Sequence, residues 1–123
     1  MKTRIKTATE IVAMRTGGSM LASVLQKLKS AVEPEMTTKQ LADIAARELK
    51  ALGGIPSFLG YHGFPDVICI SVNEAIVHGI PGKRVLQDGD IVGLDFGVTH
   101  GGLIVDGAIS VAVGNVSREH QTL

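Results

Sequence analysis

Aromatic side chains are scarce in this 123-residue chain, which has one tyrosine, three phenylalanines and no tryptophan. A place where they gather therefore carries information. A single cysteine, Cys69, excludes a disulfide framework within the chain. It lies in an apolar, strand-like run, which fits a buried free thiol. Twelve basic residues balance twelve acidic ones, and no basic run is longer than Gly82-Lys83-Arg84. Neither a nucleic acid nor an anionic membrane is thereby implied as a partner. No apolar stretch approaches the ~20 residues of a membrane-crossing helix. The charged start Met1-Lys2-Thr3-Arg4-Ile5-Lys6 lacks the apolar stretch of a signal peptide, so a cytoplasmic address is expected. The length suits one domain, residues 1 to 123, with one core.

Thr7 followed by Glu10 forms a capping box. Ile11, Met14, Leu21, Val24, Leu25, Leu28 and Val32 then recur at helical spacing until Glu33-Pro34, predicting a helix over residues 8 to 32. Gly17 and Gly18 should each cost about 1 kcal/mol against alanine, tolerable where another backbone packs closely. Thr37 and Gln40 repeat the capping pattern. Leu41, Ile44, Ala45, Leu49 and Leu52 line one face, and Gly53-Gly54 provides the stop, giving a second helix over residues 38 to 52. Beyond Pro56 the β-branched run Val67-Ile68-Cys69-Ile70-Ser71-Val72 predicts a strand.

The last third reads as a hairpin of strands 91 to 99 and 102 to 113, with His100-Gly101 as the connection. In that register Asp95 faces Asp106. Val92, Leu94, Phe96 and Val98 share the core face with Leu103, Val105, Ile109, Val111 and Val113. The other face, apart from Ile104, carries small residues beside the acids: Gly93, Gly97, Ala108 and Ser110. Two carboxylates directly opposite on a sheet repel and raise each other's pKa, a conflict that a divalent cation relieves. Two such cations about 3.5–4 Å apart would activate water and polarise a carbonyl. Two solvated acids on an ordinary surface hairpin are the plainer alternative.

Five segments together resemble the type I methionine aminopeptidases. They are Leu59-Gly60-Tyr61-His62-Gly63-Phe64-Pro65, Cys69-Ile70-Ser71-Val72-Asn73-Glu74, His78-Gly79-Ile80-Pro81, Asp88-Gly89-Asp90-Ile91-Val92 leading to Asp95, and Asp106 eleven residues later. Their order and spacing are specific in combination, and the resemblance runs from about Ile5 onward. It implies an α+β architecture, the N-terminal half of a two-fold pseudo-symmetric pita-bread fold, with two helices on an antiparallel sheet that carries a metal-site hairpin. It implies two divalent metal ions, drawn from cobalt, manganese, iron, zinc and nickel, with Asp95 chelating one and Asp106 bridging both. It makes His78 a catalytic residue that contacts the scissile peptide. It gives Phe58, Tyr61, His62 and Phe64 to the pocket for the first side chain of the substrate, the N-terminus of a nascent polypeptide. Taken singly, His78 also fits a hydrogen-bonded strand end, and Tyr61 and Phe64 also fit a core.

The chain departs from the family pattern in three ways. No residue after Asp106 supplies the histidine and two glutamates that complete the family's site, and Glu119 and His120 read as the start of a terminal helix, not as ligands. Phe58 stands where a small residue, often cysteine, is common, which would narrow the pocket. Gly107 replaces a hydroxyl residue or alanine, loosening the backbone beside a ligand. The expectation is therefore an enzyme half that is inactive alone. The alternatives are a non-catalytic half-domain that binds a second half, itself or another chain, and a proline-specific pita-bread peptidase, which the Tyr-His-Gly-Phe-Pro and His-Gly-Ile-Pro segments disfavour.

Overall fold

The computed structural model describes residues 3–122; Met1, Lys2 and Leu123, the ends of the expected 1–123 domain, lie outside the described residues. Both capping boxes form. The Thr7 side chain accepts from the Glu10 amide and starts α1 (Ala8–Ala31), and Thr37 does the same with Gln40 for α2 (Thr38–Leu52). Gly53, at φ 80°, ends α2 in the left-handed conformation that glycine adopts without a Cβ penalty. Strand β1 (Ile55–Pro56) is followed by a single 3₁₀ turn at Tyr61–Gly63, then β2 (Ile68–Val72), β3 (Ile91–His100), β4 (Leu103–Ala112) and the short α3 (Arg118–Thr122).

The four strands make one antiparallel sheet. β3 pairs with β4 along one edge and with β2 and the two-residue β1 along the other. Helices α1 and α2 cover one face, and α1 lies over both β3 and β4. Val92, Leu94, Phe96 and Val98 point into that layer and are fully buried with Val24, Leu28 and Leu41. The core face read from the alternation is thus the observed one.

The hairpin connection differs from the expected one by a single residue. Gly101 and Gly102 form it, at φ 58° and 75°, and His100 pairs with Leu103 as the last rung of the ladder. A two-residue turn that follows the sheet's twist needs positive φ at both positions, a requirement the glycine pair meets better than His100-Gly101. The pairing consequently moves by two residues. Asp95 lies opposite Ala108, and Asp106 lies opposite Gly97. Because side chains alternate with a period of two, both aspartates remain on the same face.

The glycines of α1 are not equivalent. A Cβ at Gly17 would sit 3.3 Å from a Val105 methyl and 3.4 Å from the His100 Cβ, so its absence lets the helix approach the hairpin. Gly18 faces open space. Gly107 serves packing as well. A Cβ there would lie 3.2 Å from a Leu21 methyl, which places the missing side chain against α1, on the face away from Asp106. The β1 strand, which the sequence did not announce, forms because Ile55 and Pro56 reach Thr99 and Val98 at the end of β3.

Candidate metal and substrate site

Strand β3 brings Asp95 to the sheet face opposite the helices, half-buried, with Cys69 of β2 on one side and Ala108 of β4 on the other. Asp106 lies one diagonal step away, near enough for its carboxyl to act on that of Asp95. Burial, followed by Asp106, holds the Asp95 carboxyl above its ordinary pKa, while nearby His78 pulls it the other way. Cys69 is buried, and its thiol is pushed up to about 11, first by burial and then by the two carboxylates. It contributes a neutral, apolar floor.

Two loops rise around these acids. Residues 57 to 66 turn through Gly60 at φ 82° and His62 at φ 47°. They present the Phe58 and Phe64 rings edge to face, centroids 6.5 Å apart, and Tyr61 against His62 at 4.3 Å. Phe58 fits because residue 97 has no side chain: a Cβ at Gly97 would lie 2.7 Å from the Phe58 ring. The aromatic wall is thereby drawn down to the strand position opposite Asp106. The second loop carries His78 at φ 58°, a conformation that costs a non-glycine residue about 1–2 kcal/mol. Gly79 pins it. Its carbonyl accepts from the Ile70 amide at 2.9 Å, and its amide donates to Ser71 Oγ at 3.1 Å. A Cβ on Gly79 would overlap the Ile70 carbonyl.

The result is one cavity of about 500 Å³ lined by Phe58, Tyr61, His62, Phe64, His78, Asp95 and Asp106, together with Cys69 and Ile80. Every site residue read from the sequence borders it. Cys69 and Ile80 were not read as site residues. Cys69 shares Asp95's face only through the β2–β3 register, while Ile80 sat in plain view within His-Gly-Ile-Pro. Glu119 and His120 lie in α3, outside this cavity.

Two converging carboxylates in a cavity that no lysine or arginine lines offer the oxygen donors that a divalent cation prefers. Among the described residues no group of three or more His, Cys, Asp and Glu is placed to hold a metal ion. The pair therefore fits part of a coordination sphere.

A model of the metallopeptidase family M24 matches residues 12–123. The chain belongs to metallopeptidase family M24. Methionine aminopeptidase 1 of Bacillus subtilis (strain 168) is 47% identical over 118 residues, covering 96% of this chain and 48% of that protein. Among solved structures, the methionine aminopeptidase of Thermotoga maritima superposes with a TM-score of 0.95 at 35% identity, over 99% of this chain and 49% of that one. The methionine aminopeptidase of Rickettsia prowazekii gives 0.95 at 34%, with the same coverage. The chain thus spans about half the length of the M24 relatives it matches, and its three helices on an antiparallel sheet are half of the pita-bread fold. No helix among the described residues is long and apolar enough to cross a membrane.

Proposed function

We propose that residues 1 to 123 form a single domain, the N-terminal half of a metal-dependent methionine aminopeptidase that removes the initiator methionine from nascent polypeptides in the cytoplasm. The observation that carries this reading is the single cavity in which Asp95, Asp106, His78 and the aromatic loop meet. Asp95 and Asp106 hold the metal side of the site, where burial and then the neighbouring Asp106 raise the pKa of Asp95, a strain that a cation would relieve. Two divalent cations drawn from cobalt, manganese, iron, zinc and nickel supply, when bound, an activated water and a polarised carbonyl. His78, held by Gly79 above Asp95, orients the scissile amide. Phe58, Tyr61, His62 and Phe64 receive the methionine side chain, whose thioether packs well on ring edges. Phe58, seated on Gly97, narrows that pocket.

The remaining donors come from a second half, in the same chain or in a partner. Exposed Ile55 and Ile104 give such a partner apolar surface to cover. Neither nucleic acid nor membrane enters this reading. A purely non-catalytic binding module is not favoured, since the matched relatives are named as methionine aminopeptidases.

Calorimetric titration of manganese or cobalt into the wild-type chain, Asp95→Asn and Asp106→Asn tests the site. Weak binding by wild type that falls at least about tenfold in each variant is expected; equal binding by all three refutes the site. The 123-residue polypeptide should leave a Met-Ala-Ser peptide intact. Robust cleavage by it alone would refute the need for further donors.

A further inference from the structure

The loops that wall the cavity, residues 57 to 66 and residues 75 to 82, share no backbone hydrogen bond among the described residues. Besides the ties of Ser57 to β3 and of Gly79 to β2, both are fastened to the first turn of α2. A helix start leaves four amide donors without helical partners. In α2 these are the amides of Thr37 to Gln40, and the capping box takes two of them: the Thr37 amide donates to the Gln40 side-chain oxygen and the Gln40 amide to the Thr37 hydroxyl. The other two are spent on the segment that follows His78. The Thr38 amide donates to the Arg84 carbonyl and the Lys39 amide to the Gly82 carbonyl, each at 3.0 Å. The buried Thr38 hydroxyl completes the grip, accepting from the Gly82 amide at 2.8 Å and donating to its carbonyl at 3.3 Å.

The side chain of Lys39 points to the other loop. Its Nζ lies 2.7 Å from the carboxylate of Asp66, which is only 7% exposed and whose second oxygen accepts from the Val67 amide at 2.8 Å. An acid so buried depends on its cation, since removing one partner strands the other charge. The contact of Lys39 with Asp43, 3.6 Å away and exposed, is of the kind that contributes little. Neighbouring residues thus hold opposite walls: Thr38 the His78 loop, Lys39 the aromatic loop.

We propose that Thr38 and Lys39 are positioning residues, and that the first turn of α2 sets the spacing between His78 and the aromatic wall. The value of that spacing rests on the reading of the cavity as the peptidase site. The clamp itself does not, so the two fail separately.

Amide hydrogen exchange on the full 123-residue chain tests the clamp. Thr38→Val should speed exchange about tenfold at Gly79 and Gly82 and leave Tyr61 and Phe64 near wild type, whereas Lys39→Met should do the reverse. Thr38→Ser and Lys39→Arg, which keep the hydroxyl and the charge, should restore wild-type exchange, and Asp43→Asn should change neither loop. Emission anisotropy of Tyr61, the sole tyrosine in a chain without tryptophan, should fall in Lys39→Met alone. Unchanged exchange in both variants, or equal acceleration throughout β2, β3 and both loops, overturns the proposal, as does failure of the conservative variants to rescue. Wild type that shows this pattern yet binds no manganese would refute the peptidase site and leave the clamp standing.

Discussion

Asp106 faces Gly97 across the hairpin and meets Asp95 on the diagonal. Diagonal neighbours sit about 7–8 Å apart at Cα, against about 5 Å for direct partners, so two acids so placed reach toward a shared point from different rungs. A proton or a cation at that point relieves their repulsion. The raised pKa of Asp95, caused first by burial and then by Asp106, favours the proton where no cation is bound.

This predicts how stability depends on pH without metal. The folded Asp95 pKa lies above the ordinary value of 3.8, so the folded chain binds the proton more tightly than the unfolded chain. The contribution of Asp95 to stability is then greatest in acid, and it declines as pH rises from 3.8 through the raised pKa of Asp95. Asp95→Asn, which cannot ionise, should be about 0.5–1 kcal/mol more stable than wild type at pH 7 in chelator, and equal to it at pH 3. Thermal melts at the two pH values check this; a less stable variant at pH 7 would contradict it.

Gly97→Ala should expel the Phe58 ring from its seat on β3, since the new methyl would lie 2.7 Å from a ring carbon. Overpacking of this kind costs about 1–3 kcal/mol. Pairing it with Phe58→Ala should recover most of that loss, and denaturant titration of the double-mutant cycle measures the coupling.

Gly79→Ala places a methyl on the Ile70 backbone carbonyl, which cannot swing aside. The His78 loop should detach from β2, lowering stability by roughly 1–3 kcal/mol and exposing the Ile70 amide to exchange. The same substitution at Gly18, where a Cβ meets nothing within 4 Å, should instead stabilise α1 by up to about 1 kcal/mol.

Cys69, with a pKa of about 11 against an ordinary 9.0, should carry roughly a hundredfold less thiolate at neutral pH than a free cysteine. Alkylation by iodoacetamide at pH 7.5 should be slow in the native chain and should rise to the free-thiol rate in denaturant. Rapid native labelling would show that the cavity floor is open.

Much of this molecule was legible in its sequence because local rules govern it. Thr7 with Glu10 and Thr37 with Gln40 fix both helix starts, Gly53 fixes an end, and strict alternation in residues 91 to 113 fixes which side of β3 and β4 is core. That Asp95 and Asp106 share one face of the sheet was legible too, since a two-residue error in register leaves the face unchanged. Only the rung was misread, because His100-Gly101 and Gly101-Gly102 both make plausible turns until the need for positive φ at each position is weighed.

Tertiary structure decided what no local pattern encodes. Cys69 joins the acids because β2 pairs with β3 in one particular register. Phe58 reaches them because Gly97, thirty-nine residues on, leaves a hole of the right shape. Thr38 and Lys39 have no motif at all; they matter because two amides freed at a helix start and one buried carboxylate each had to find a partner. Short-range geometry selects helices, strands and faces by itself, whereas hydrogen-bond satisfaction and close packing between distant segments are settled only when the chain has folded.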